Sequence, residues 1–252
     1  MKIARMFVFL IGLLASGSPL LGHDHIHIAQ HNMPAVVQIN VLDHDGTTSS
    51  ATGFVVSPEG LIVTNRHVLH KALYANITFN NATTSGEAVI VAQDPKLDLA
   101  IVKIEAKNLP FVTLAQNDDV LVGQTITVIG NPRRLQNTVS SGIISQLRTQ
   151  ADGTLWHQIS APISPSSSGS PVFNEKGEVV SVAFASISGE GNQNLNFAIP
   201  VRYVKRLAEQ NELSLPNSVP PHTHPFLQHI QKSWQITKRL LRRWFTGQEV
   251  EK

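Results

Sequence analysis

Three features of residues 35–199 predict an all-β fold. Apolar runs there are only four to seven residues long, they are rich in Val, Ile and Thr, and Gly, Pro, Asn or Asp separates them. About a dozen such runs come before any sustained helical period, which suits a β-sandwich or β-barrel design.

The chain has 252 residues, of which 42% are hydrophobic and 15% charged, with a net charge of +2. That length can bury a sizeable core. The small net charge does not argue for nucleic acid, and the absence of cysteine excludes a disulfide framework and a thiolate metal site.

Met1-Lys2-Ile3-Ala4-Arg5 is a short basic start, followed by the apolar run Met6 to Ala15 and the small residues Ser16, Gly17 and Ser18. This pattern is a secretory signal peptide over residues 1–22, with Gly17 and Gly22 as alternative cleavage points. An uncleaved anchor is the rival reading, although the run is short for a membrane span. With no cysteine after the run, a lipoprotein is excluded. A His-rich leader follows at residues 23–34, with His23, His25, His27 and His31. It is expected to be polar and disordered, and weak metal binding is the alternative.

The strand series runs Val36 to Val41, Gly53 to Ser57, Leu61 to Thr64, Tyr74 to Phe79, Glu87 to Ala92 and Leu99 to Ile104. It continues with Thr125 to Ile129, Thr138 to Ile144, Leu155 to Ile159, Val179 to Phe184 and Leu195 to Ile199. Ser57-Pro58-Glu59-Gly60 and Asn174-Glu175-Lys176-Gly177 are hairpin turns by composition. The polar patch Gln116-Asn117-Asp118-Asp119 divides the series into two barrels, residues 35–117 and 118–200.

Helix is expected only after Pro200, where Val201, Val204 and Leu207 recur at helical spacing. Leu213 to Pro225 carries four prolines and reads as a linker. Phe226 to Phe245 returns to a helical period, with Leu227, Ile230, Trp234, Leu241 and Trp244 on one face and Lys and Arg over much of the rest. Docking on the barrels competes with contact to a membrane surface or a partner.

The chemistry centres on Ser164-Pro165-Ser166-Ser167-Ser168-Gly169-Ser170-Pro171, a turn of small residues in which backbone amides can crowd a substrate carbonyl. Thr64-Asn65-Arg66-His67-Val68 and Lys96-Leu97-Asp98-Leu99 supply a histidine and an aspartate upstream. A serine hydroxyl needs a base to take its proton, and a carboxylate can fix that base's tautomer. The serines of this run are therefore the candidate nucleophiles, His67 the candidate base, and Asp98 the candidate orienting carboxylate. Asp94 competes for the last role, but it sits in a turn-like Asp94-Pro95.

These segments resemble the HtrA/Deg-type branch of the trypsin-like serine peptidases. Thr52 to Val68 is similar to its histidine region and Asp98 to Ile104 to its aspartate motif. Ile129 to Pro132, Val139 to Ser145 and Asn196 to Pro200 resemble further landmarks in the same order. The resemblance implies two antiparallel six-stranded β-barrels of chymotrypsin type with short C-terminal helices. It implies a secreted or periplasmic serine endopeptidase that needs no cofactor or metal. Its partners would be protein or peptide substrates, unfolded chains among them, with homo-oligomer contacts or the C-terminal tail as further surfaces. No peptide-binding PDZ domain fits in the sequence that remains.

By the same resemblance Ser168 is the nucleophile, His67 its base and Asp98, leading straight into a strand, the orienting carboxylate, while the amides of Ser166 and Ser168 form the oxyanion hole. Ser166 and Ser170 replace glycines of the usual motif, so a resting hole that completes on substrate binding is expected. Ile163, Ser164, Ala183, Phe184, Ala185 and Asn196 would line the pocket for the residue before the scissile bond. No acid stands among them, which implies small or medium apolar side chains there. A slow protease scaffold acting as a chaperone-like binding module is the alternative function.

Overall fold

The computed structural model describes residues 24–79, 85–117, 119–131, 137–189 and 192–216. The expected leader at 1–22 and the basic segment Phe226 to Phe245 lie outside the described residues. So does the linker beyond Pro216.

Strands β1 (Val36–Asp43), β2 (Thr48–Val55) and β3 (Leu61–Asn65) open the first sheet. A single helical turn, Arg66–Leu69, leads to β4 (Ala72–Thr78), β5 (Ser85–Glu87), β6 (Val89–Asp94) and β7 (Leu99–Lys103). The seven strands pair in the order β5-β4-β1-β2-β3-β7-β6. Every pairing is antiparallel. The sheet curls until Gly86 lies against Ile104, beyond β7. Ile39, Phe54, Ile62, Ile77, Leu99, Ile101 and Ile104 fill its interior. The run Glu87 to Ala92 is two strands, because the Ala88 amide turns to the Ala75 carbonyl at 3.0 Å.

In the Ser57–Gly60 hairpin, Gly60 has φ +97, and a Cβ there would stand 2.6 Å from the Ile104 carbonyl oxygen. Only glycine combines that dihedral with so close an approach.

The second half holds β8 (Thr125–Gly130), β9 (Thr138–Thr149) and β10 (Leu155–Ile159), then β11 (Pro171–Phe173), β12 (Val179–Gly189) and β13 (Asn192–Pro200). They close into a barrel in the order β10-β13-β12-β11-β8-β9 around Ile126, Ile129, Ile144, Ile159 and Phe173. The chain crosses between the sheets ahead of the polar patch. Val112 still donates to Val55, whereas Thr113 and Ala115 already bond to Val179.

Helix follows at Val201–Gln210 directly after Pro200, burying Val201, Tyr203, Val204, Leu207 and Ala208. The Tyr203 hydroxyl accepts the Leu155 amide at 2.9 Å, tying that helix to β10.

The leader expectation needs correcting. Residues Asp24–Asn32 form a helix with Ile28, Ala29 and Asn32 buried. His25 Nδ1 meets Thr127 Oγ1 of the second barrel at 2.6 Å, and Asn32 Nδ2 donates to the Ile28 carbonyl at 2.9 Å. Two apolar residues and one asparagine are too few to give a visible helical period. The barrel surface supplies the burial that composition does not suggest.

Candidate active site

β3 pairs with β7 so that Asn65 stands opposite Leu99. That register sets the helical turn after β3 beside the residue before β7, which are His67 and Asp98. The Asp98 carbonyl accepts the Arg66 amide and Asn65 Nδ2, each at 3.1 Å. Its carboxylate takes both hydrogens that His67 directs at it: the main-chain N–H to Oδ1 at 2.8 Å and ring Nδ1 to Oδ2 at 2.6 Å.

An ionised carboxylate only accepts, so Nδ1 carries the hydrogen and Nε2 is left as the basic nitrogen. Asp98 itself holds φ 54, a left-handed conformation that turns its side chain and its carbonyl onto the histidine turn. Asp94, the rival acid, caps its own turn, accepting the amides of Lys96 and Leu97 at 2.9 and 3.0 Å.

The serine loop crosses from the second barrel to β2. Its peptide units alternate in their bonding. The 166–167 unit is held at both ends, Ser167 N–H to the Ser164 carbonyl at 2.9 Å and the Ser166 carbonyl to Thr52 Oγ1 at 2.9 Å. The 168–169 unit is held likewise, Gly169 N–H to the Ala183 carbonyl at 2.8 Å and the Ser168 carbonyl to the Thr52 amide at 3.0 Å. Before and between these locked units, the amides of Ser166 and Ser168 respectively meet no acceptor among the described residues. Two unsatisfied N–H groups beside a half-buried hydroxyl can receive an anionic oxygen. Ser166, where a serine is expected to strain the turn, sits at φ 74.

Thr52 joins the two halves of the site. Its amide bonds to Ser168, and its carbonyl accepts Thr64 Oγ1 at 2.8 Å, three residues before His67. The histidine turn and the serine loop are therefore fastened to one fully buried strand residue. In the sequence Thr52 stands out only as the first residue of the histidine-region motif. The usable signal is a hydroxyl between Ala51 and the apolar run Gly53 to Val55, where the strand turns buried and a buried hydroxyl needs partners.

Of the expected pocket residues, Ala183 is buried and pairs with Ala198. Asn196 is also buried, and its Nδ2 donates to the Ala161 carbonyl at 2.8 Å, holding the segment that leads to Ile163. Ile163 and Phe184 are half-buried and Ser164 is exposed. Phe184 falls at a bulge in β12 and meets Trp156 edge-on at 5.0 Å between ring centroids. Ala185 pairs with Phe197, and its side chain lies outside the described residues.

Residues 51–182 match the trypsin-like peptidase domain family. A probable periplasmic serine endoprotease DegP-like of Chlamydia muridarum is 42% identical over 164 residues, covering 63% of this chain and 33% of that protein. A putative serine protease HhoB of Synechocystis is 37% identical over 167 residues, covering 64% and 39%. This chain thus spans about a third of the length of the curated relatives it matches. Among solved structures, the HtrA-type protease AlgW with tripeptide superposes with a TM-score of 0.69 at 29% identity, covering 74% of this chain and 62% of the other. The serine endoprotease from Yersinia pestis gives 0.66 at 30% identity, covering 74% and 66%.

Proposed function

As this chain belongs to the trypsin-like peptidase domain family, we propose that it is a serine endopeptidase of HtrA type that cleaves protein or peptide substrates in the periplasm. The observation that carries the reading is the doubly bonded His67–Asp98 pair, fastened through Thr52 to the loop of Ser168.

In this reading Ser168 Oγ attacks the scissile carbonyl carbon while its proton passes to His67 Nε2. Asp98 holds the ring and stabilises the imidazolium. Negative charge moves onto the carbonyl oxygen, which the Ser166 and Ser168 amides receive. Collapse expels the amine, which takes the proton from His67 and leaves an acyl ester on Ser168. A water then attacks the ester, giving its proton to His67, and the carboxylic acid departs as Ser168 regains its hydrogen.

The periplasmic setting rests on the expected leader and on relatives named as periplasmic. The pocket residues Ile163, Ser164, Ala183, Phe184, Ala185 and Asn196 carry no negative charge, which supports small or medium apolar side chains before the scissile bond.

A fluorophosphonate probe tests the reading, because it reacts only with an activated serine. The wild-type chain should be labelled and should cleave casein, while Ser168→Ala does neither. No labelling of the wild type, or equal cleavage by Ser168→Ala, overturns it.

A further inference from the structure

The geometry points to Thr52 as a positioning residue that holds the oxyanion-binding amides in place by pinning Ser166 in a conformation its own backbone disfavours. The inference rests on the protease reading above and deepens it.

Ser166 lies at φ 74, in the left-handed region that a Cβ penalises and glycine accepts freely. Such a conformation persists only where its surroundings over-determine it. Here those surroundings come from the other half of the fold. Thr52 Oγ1 donates to the Ser166 carbonyl at 2.9 Å, and Ser50 Oγ donates to Ser166 Oγ at 3.3 Å. The Thr52 amide secures the Ser168 carbonyl two residues on, at 3.0 Å.

The direction of the Thr52 hydroxyl is itself fixed. Its oxygen accepts the Asn131 amide at 2.9 Å, so its one hydrogen is left for Ser166. Thr52 is fully buried, and its carbonyl is tied to Thr64, so the residue has no freedom to follow the loop if the loop moves.

Loss of that hydroxyl frees one end of the 166–167 peptide unit. Ser166 can then relax to a negative φ, and the preceding peptide turns its N–H away from the oxyanion position. Ground-state binding along the rest of the substrate is untouched, so the defect falls on kcat rather than KM. A glycine at 166 has no such preference and holds the geometry without the brace.

The test is a double-mutant cycle on hydrolysis of a chromogenic apolar peptide, read as kcat and KM separately. Thr52→Val should lower kcat about tenfold to a hundredfold with KM within about threefold, the scale of a weakened oxyanion donor. Thr52→Ser, which keeps the hydroxyl, should stay within about threefold of wild type. The decisive arm is Ser166→Gly, in which Thr52→Val should cost less than about threefold. An equal cost in both backgrounds, or full activity of Thr52→Val, overturns the inference.

Should Thr52→Val fail to fold, Ser50→Ala at a half-buried position carries the same test. It predicts a fall in kcat of about twofold to fivefold that disappears in Ser166→Gly. An unchanged kcat in Ser50→Ala, or a fall that persists in Ser166→Gly, overturns the inference in that arm. A wild-type chain that neither labels with fluorophosphonate nor cleaves peptide overturns the protease reading itself, a result distinct from any behaviour of the Thr52 variants.

Discussion

His67 gives Asp98 two hydrogen bonds, one from its main chain at 2.8 Å and one from its ring at 2.6 Å, so a single carboxylate fixes both where the imidazole sits and which way it faces. The side chains stay partly open, 50% exposed for His67 and 27% for Asp98, as access by a substrate requires.

The Asp98 carboxylate should therefore be indispensable to turnover and nearly silent in binding. Asp98→Asn replaces an acceptor by an amide that can donate to Nδ1 and so invert the ring's tautomer. We expect kcat for peptide hydrolysis to fall by about four orders of magnitude. Asp94→Asn, altering a turn cap, should leave kcat within about twofold. Comparable losses in the two variants would reassign the acid.

On the proposed pocket assignment, substrate choice should follow from uncharged lining positions. A peptide mixture digested with the purified protein should show Ala, Val and residues of similar size before the cleaved bond, each methylene changing kcat/KM by about 1–3 kcal/mol. Mass spectrometry of the products reads this directly. Cleavage confined to Arg or Lys would sink the pocket assignment.

Gly169 admits no replacement. It holds φ +86, and a Cβ there would collide with the Thr52 carbonyl oxygen and with Thr64 Oγ1. Gly169→Ala should lose about 2–4 kcal/mol in urea denaturation, combining backbone strain with overpacking. A midpoint equal to wild type would mean that the serine loop is not seated against β2.

Acid should weaken the second barrel. His157 is 3% exposed and sits 2.6 Å from Ser181 Oγ. Burial, with the Arg202 charge as a smaller cause, lowers its pKa from 6.5 to about 4. The unfolded chain binds a proton that the folded one refuses, so this contribution is complete above pH 6.5 and is lost as pH falls towards 4. It amounts to about 3 kcal/mol across that window. Denaturation midpoints from pH 7 to pH 4 should fall more steeply for wild type than for His157→Gln, and parallel profiles would exclude the residue as the cause.

What could be read from sequence depended on the range of the interaction. Strands such as Val36–Asp43 and Leu99–Lys103 announce themselves because their burial is written in neighbouring residues. His67 and Asp98 were legible because one closely follows such a strand and the other directly precedes one. The helix Asp24–Asn32 was not, since its burial comes from a barrel about a hundred residues later in the chain. The Thr52–Ser166 bond spans 114 residues, so a hydroxyl within the buried part of β2 signals a need for a partner but nothing local names which one. Strain at Ser166 was legible, because a serine stands there where the family motif has glycine, but the hydroxyls of Thr52 and Ser50 that meet it show only in the fold.

That span has a consequence during biosynthesis. β2 is made early and the serine turn late, so a growing chain holds half a cutting edge until most of its length has emerged. On the proposed chemistry, a product that stops short of the serine turn has the base and its carboxylate but no nucleophile, and so cannot cut.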